Sequence, residues 1–193
     1  MRSVLITGFG PFPGMPRNPT ADMARRLAAL RLPGLEGMRR TALILPTEWS
    51  ALERLARDLA ANPPDAMLML GVAGRRTRIN VETRAVNDAR GLDATRHRPA
   101  RRLSKSGTSE RRAAASVPRL RHALTQAGLS ARASRDAGRY LCNGAYYIAL
   151  EALAPARVPV VFIHLPGRGP DSRRPAARTA VALSLVLRAL LRG

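Results

Sequence analysis

The stretch "DAMLMLGVA", residues 65–73, decides the fold. Beyond its first residue it is almost wholly apolar, so a strand there has two faces to hide. Such strands belong in sheets covered by helices on both sides. Upstream, "SVLITGF" (3–9) reads as a short buried strand ended by glycine and proline, and "TALILP" (41–46) as another. Downstream, "VPVVFIHLP" (158–166) is a further buried strand. "INVETRAVN" (79–87) alternates and reads as extended, and "ARASRDAG" (131–138) as a polar strand or edge segment.

Helical signals fill the intervals. "NPTADMARRLAAL" has Asn18 placed to cap and Pro19 in the first turn. Thr47 is placed to cap "EWSALERLARDLAAN", where Trp49, Leu52, Leu55, Ala56 and Leu59 fall on one face. Pro118 opens a third helix that Gly128 stops. "NGAYYIALEAL" and residues 175–191 supply two more. Strands alternating with helices predict one domain over residues 1–193, a three-layer α/β/α sandwich with a largely parallel, mixed sheet. Sites in such sheets gather at the carboxyl ends of strands. "TGFGPFPG", "GVAGRRTR" and "FIHLP" are the unusual strand ends here.

The 193 residues are 46% hydrophobic and 24% charged, the balance of a chain that buries a core. The opening "MRSVLITGFGPF" makes a poor signal peptide, and "AVALSLVLRALL" is too short for a membrane span and holds Arg188. One cysteine gives no disulfide framework. The expectation is a cytoplasmic protein with no membrane contact.

A net charge of +20 raises the question of nucleic acid. Lys105 is the one lysine among 33 basic residues, and the arginines are spread over the whole chain. That diffuse pattern fits a coding bias as well as a binding surface, and no nucleic-acid partner is expected. "RHRPARRLSKSGTSERR" (96–112) concentrates charge without aromatic stacking platforms and reads as a solvated, mobile loop.

Three residues carry chemistry. His164 ends a strand at the rim of the sheet, although a lone histidine beside an apolar strand is more often a satisfied structural residue. Cys142 opens a helix, where unpaired N–H groups favour a thiolate and can hold an oxyanion; otherwise it is a small buried hydrophobe. Glu82 is an acid in a half-apolar strand: either the third polar group that orients a Cys–His couple, or a solvent-facing residue. Spacing alone does not unite them. A dinucleotide fingerprint, a phosphate loop, metal-ligand spacing among His97, His122 and His164, and a G-x-S-x-G elbow are all missing.

Four stretches resemble a known family. "LITGFGPFPGMPRNPT" is similar to the T-G-F-x-P-F…N-P-[ST] opening of pyroglutamyl peptidase type I. "GVAGRRTRINVETRAVNDAR" resembles its G-x-A-G-x-R-x-x-I-x-x-E-x-x-A-x-N segment, "DAGRYLCNGAYY" its A-G-x-[FY]-x-C-N, and "VFIHLP" its F-[IV]-H-[ILV]-P. The resemblance implies a cysteine peptidase that removes N-terminal pyroglutamate from peptides through an acyl-enzyme, without cofactor or metal. It implies Cys142 as nucleophile, His164 as base and Glu82 as the acid orienting it. Arg90 falls where the family stabilises the oxyanion, together with the Cys142 N–H. Phe9 and Phe12 match walls of the substrate pocket, Asn18 a support of that loop, and Tyr140 and Leu141 the lining beside the cysteine. Homodimers and homotetramers among relatives set the expectation for assembly.

Two departures stand out. Val72 replaces a glutamine common in relatives, and "ARGLDATRH" keeps only Arg90 and Asp93 of the family's A-R-I-P-D-N run. A rebuilt wall near 91–112 leaves open a related hydrolase of another small N-acyl or lactam substrate. A non-catalytic basic binding module on the same fold is the reading from a different class.

Overall fold

A computed structural model describes residues 1–12 and 14–192; Pro13, inside the opening motif, and Gly193 lie outside the described residues. The elements run β1 (Arg2–Phe9), α1 (Pro19–Ala29), β2 (Met38–Leu45), α2 (Ser50–Ala61), β3 (Ala66–Ala73), β4 (Ile79–Glu82), β5 (Arg84–Val86), β6 (Glu110–Arg112), α3 (Val117–Gln126), β7 (Ala131–Ser134), α4 (Leu141–Leu153), β8 (Val160–Pro166) and α5 (Ala176–Leu190), with a 3₁₀ turn at Pro170–Arg173.

Six strands form one sheet in the order β2-β1-β3-β8-β4-β7. The first four in that order are mutually parallel; β4 runs antiparallel to β8 and parallel to β7. The reversal follows from chain length. Residues 74–78 are too few to carry a crossover, so the chain leaving β3 turns back.

The period-two alternation of each strand sorts side chains between two cores. Val4, Ile6, Leu68, Leu70, Val161 and Ile163 face α1, α3 and α5. Met67, Met69, Val160 and Phe162 face α2 and α4. At about 1.5–3 kcal/mol for each large apolar side chain fully buried, both layers are needed to hold the sheet. No helix among the described residues is long and apolar enough to cross a membrane.

Two local expectations are corrected. Thr47 does not cap α2: its hydroxyl donates to the carbonyl of Pro11 at 2.8 Å, and the helix begins at Ser50. The Asp93 carboxylate, distant in sequence, accepts the Trp49 N–H at 2.9 Å instead. The basic stretch after Gly91 is not merely a solvated loop. Its end forms β6, paired antiparallel with β5, and the Asn87 side chain holds Ser104 through bonds of 2.8 and 3.0 Å. Asn18 caps α1 as expected, accepting the Thr20 N–H at 3.2 Å.

Candidate active site

His164 shares a sheet face with Val160 and Phe162, so the pleat delivers its ring to the α4 side of the sheet. On β4, Ile79 and Val81 take the opposite core, which turns Glu82 to that same side. Register places Asn80 opposite His164 and Glu82 opposite Phe162, so the acid and the imidazole are diagonal neighbours. His164 Nδ1 lies 2.8 Å from Glu82 Oε1. With the carboxylate oxygen accepting, Nδ1 carries a proton, and Nε2 is the ring nitrogen that Glu82 does not engage. Glu82 is fully buried, so its reading as a solvent-facing strand residue is wrong.

Cys142 occupies the first turn of α4 and is half-buried. Tyr140 caps that helix with extended backbone and no side-chain hydrogen bond, and the Gly144 N–H reaches back to its carbonyl at 3.0 Å. The earliest N–H groups, those of Cys142 and its neighbours, lack intrahelical partners by geometry. Gly71 pairs with His164 across β3 and β8 and makes room for the sulfur. A Cβ there would sit 2.9 Å from Cys142 Sγ and 2.7 Å from the buried Phe162 ring.

The imidazole responds to both neighbours. Burial pushes its pKa down, but hydrogen bonds and negative charge from Cys142 and Glu82 outweigh that and raise it to about 9. The Phe162 ring lies 4.8 Å from it and shuts one side of the site against water.

Two supporting residues escaped the sequence reading. Asn143 is buried; its side chain accepts the Val86 N–H at 2.8 Å and donates to the carbonyls of Val86 and Asp88 at 2.8 and 3.1 Å. It thereby bolts the 86–88 backbone to the helix that bears the cysteine. Arg76 Nη1 donates to Glu82 Oε1 at 2.7 Å. Arg76 takes the arginine position of the G-x-A-G-x-R segment, but that position discloses no role by itself; burial also sets it apart from Arg75 and Arg78, which are exposed.

The other expected residues divide. Arg90 is 62% exposed, and its guanidinium rests on Asp88 at 2.8 Å rather than on Cys142. The Asp88 carboxyl is held below its usual range chiefly by that hydrogen bond, against some burial, and then by the charges of Arg90, Arg101 and Arg139. Tyr140 is half-buried, edge-on to Trp49 at 5.6 Å, with its hydroxyl donating to the Leu92 carbonyl at 3.0 Å. Phe9 packs in the core against Phe162, and Leu141 is also buried there. Phe12 is half-buried and pairs its backbone with Met15. Asn18 ties the same loop down by donating to the Gly10 carbonyl at 3.1 Å. Among the described residues, no group of three or more His, Cys, Asp or Glu side chains is arranged to hold a metal.

Residues 2–181 match the family model described as pyroglutamyl peptidase. The chain is 31% identical over 169 residues to the pyrrolidone-carboxylate peptidase of Vibrio vulnificus (strain YJ016), covering 86% of this chain and 79% of that one. It is 33% identical over 192 residues to the pyrrolidone-carboxylate peptidase of Gloeobacter violaceus, covering 97% and 92%. The crystal structure of pyrrolidone carboxyl peptidase from Thermus thermophilus superposes with a TM-score of 0.83 at 31% identity, over 96% of this chain and 99% of that one.

Proposed function

The chain belongs to the pyroglutamyl peptidase family, cysteine-type omega peptidases that remove N-terminal pyroglutamate from peptides, and on that premise we propose that Cys142, His164 and Glu82 carry out the reaction. One observation carries the assignment: the buried imidazole is held by Glu82 at Nδ1, and the Cys142 sulfur, from the first turn of α4, lies against Gly71, the residue paired with His164.

The pyroglutamyl group is a neutral lactam, so it suits an apolar slot with a few amide hydrogen bonds. The thiol proton passes to His164 Nε2, and the sulfur attacks the exocyclic carbonyl carbon. A C–S bond forms, and the carbonyl electrons move onto oxygen. That oxyanion meets the free N–H groups at the start of α4. Arg90 is the second donor, reached from the rim where Asp88 holds its guanidinium.

The tetrahedral species collapses, the C–N bond breaks, and the imidazolium hands its proton to the departing amine. Acylation then removes the sulfur's negative charge and its hydrogen bond, two of the influences that raise the imidazole. Without them the ring holds a second proton less tightly, so His164 is neutral and able to accept a proton when water must be deprotonated. Water attacks the thioester, the C–S bond breaks, and the proton returns to the thiol. Glu82 keeps the ring in one tautomer throughout.

Iodoacetamide tests this directly, because Cys142 is the one cysteine in the sequence. Loss of pyroglutamyl peptidase activity should track the first equivalent of alkylation, followed by intact mass. Full activity in a stoichiometrically alkylated sample would refute the assignment.

A further inference from the structure

Glu82 is a fully buried carboxylate whose two oxygens are treated differently. Oε1 accepts both the His164 Nδ1–H at 2.8 Å and Arg76 Nη1 at 2.7 Å. Oε2 is buried with no hydrogen-bond partner among the described residues. A carboxylate free to choose would spread its two donors over two oxygens. Here both converge on the oxygen that faces the imidazole, so the carboxylate's rotation is fixed from two sides.

Arg76 is itself immobilised. Its backbone N–H donates to the Ala73 carbonyl at 3.0 Å, and its carbonyl accepts from Arg168 N–H at 3.2 Å, just beyond β8. Nη1 also reaches Ser134 Oγ at 3.3 Å, and Nη2 reaches the Asp136 carbonyl. The guanidinium therefore spans the turn after β3, the end of β7 and the acid on β4. Its side chain is 23% exposed, so its pairing with Glu82 is largely shielded from solvent. An unpaired buried carboxylate is costly and tends to neutralise; a fixed cation beside it offsets that cost.

From this geometry we infer that Arg76 is a positioning residue: it fixes the Glu82 carboxylate and aims Oε1 at His164 Nδ1, and so sets the ring that serves Cys142. The inference rests on the roles proposed above for those three residues. Arg76 touches neither the sulfur nor the imidazole through any hydrogen bond described, so its whole effect passes through Glu82.

That dependence gives the test. Wild type, Arg76→Met, Glu82→Gln and the double variant are compared with a pyroglutamyl-aminomethylcoumarin substrate, alongside Cys142→Ala. Arg76→Met is expected to lower kcat about 10- to 100-fold with KM nearly unchanged, the scale of a misaimed catalytic group. In the Glu82→Gln background the same change should cost less than about threefold, because contacting residues couple. Arg76→Lys, which keeps the charge but not the fork, should recover a large part of the loss and slow iodoacetamide capture of Cys142 less than Met does. Should Arg76→Met fail to fold, the same cycle is run with Arg76→Lys.

Losses that simply add in the double variant, or a lowered thermal midpoint with kcat intact, would overturn the inference. In either of those cases an inactive Cys142→Ala leaves the catalytic assignment standing. An active Cys142→Ala would instead refute the assignment itself, and with it the basis for Arg76.

Discussion

At the scale of single residues, the site depends on what is missing as much as on what is present. Gly71 stands opposite His164, and a methyl group there would collide with the sulfur at 2.9 Å and with the Phe162 ring at 2.7 Å. Neither neighbour yields cheaply, since one is a two-atom side chain on a packed helix and the other is fully buried. Gly71→Ala is therefore expected to cut kcat at least about 100-fold by displacing Cys142 Sγ, the nucleophile proposed above. Near-native kcat in that variant would show that Sγ does not work from the position seen. The sequence marked Cys142, His164 and Glu82 as candidates, but each had an equally ordinary structural reading, because their union depends on strand register. Register becomes visible only when β4 is seen beside β8, with Glu82 diagonal to His164.

At the scale of elements, most strands and helices were legible because periodicity is local. Asn18 and Pro19 started α1 where the capping signal put them, and Gly128, with φ +74°, ended the helical run of α3. The start of α2 was misread because its cap is not local. Asp93 is buried, and its Oδ2 takes the Trp49 N–H. Its Oδ1 takes the Thr95 and His97 N–H groups at 3.0 and 2.8 Å and the Thr95 hydroxyl at 2.8 Å.

Burial would raise the Asp93 pKa, but these bonds together outweigh it and hold the carboxyl below its ordinary value. A depressed carboxylate stabilises the fold above its unfolded pKa, near 3.9, and that contribution is lost as pH falls through the lower folded value. Asp93→Ala should lower the thermal midpoint at pH 7 through a loss of about 1–3 kcal/mol, at about 2–4 °C per kcal/mol for a chain of this size. The gap from wild type should shrink below pH 4. A gap unchanged down to pH 2 would show that the charged carboxylate is not what matters.

At the scale of the whole molecule, the fold stacks its helices in two layers and gathers Cys142, His164 and Glu82 on the side of one of them. β4 and β8, which carry Glu82 and His164, both contribute to the α2–α4 side, and the basic segment after Gly91 is fastened to it. Tyr147 donates its hydroxyl to the Thr108 carbonyl at 2.7 Å, and Arg111 pairs with Glu151 of α4 at 2.7 Å. The arginine excess that dominates the composition also has structural uses the sequence could not disclose. Arg84, Arg119 and Arg174 donate to backbone carbonyls at 2.9, 3.2 and 2.8 Å, and Arg132 donates to Asn80 at 2.7 Å. Such acceptors are scattered along the chain, which is why a charge count alone pointed nowhere. The most direct measurement is fluorophore release from pyroglutamyl-aminomethylcoumarin by wild type and Cys142→Ala, side by side, with thermal midpoints to show that both are folded. Turnover by the wild type and none by the folded variant is the expected result; turnover by both would contradict the nucleophile assigned to Cys142.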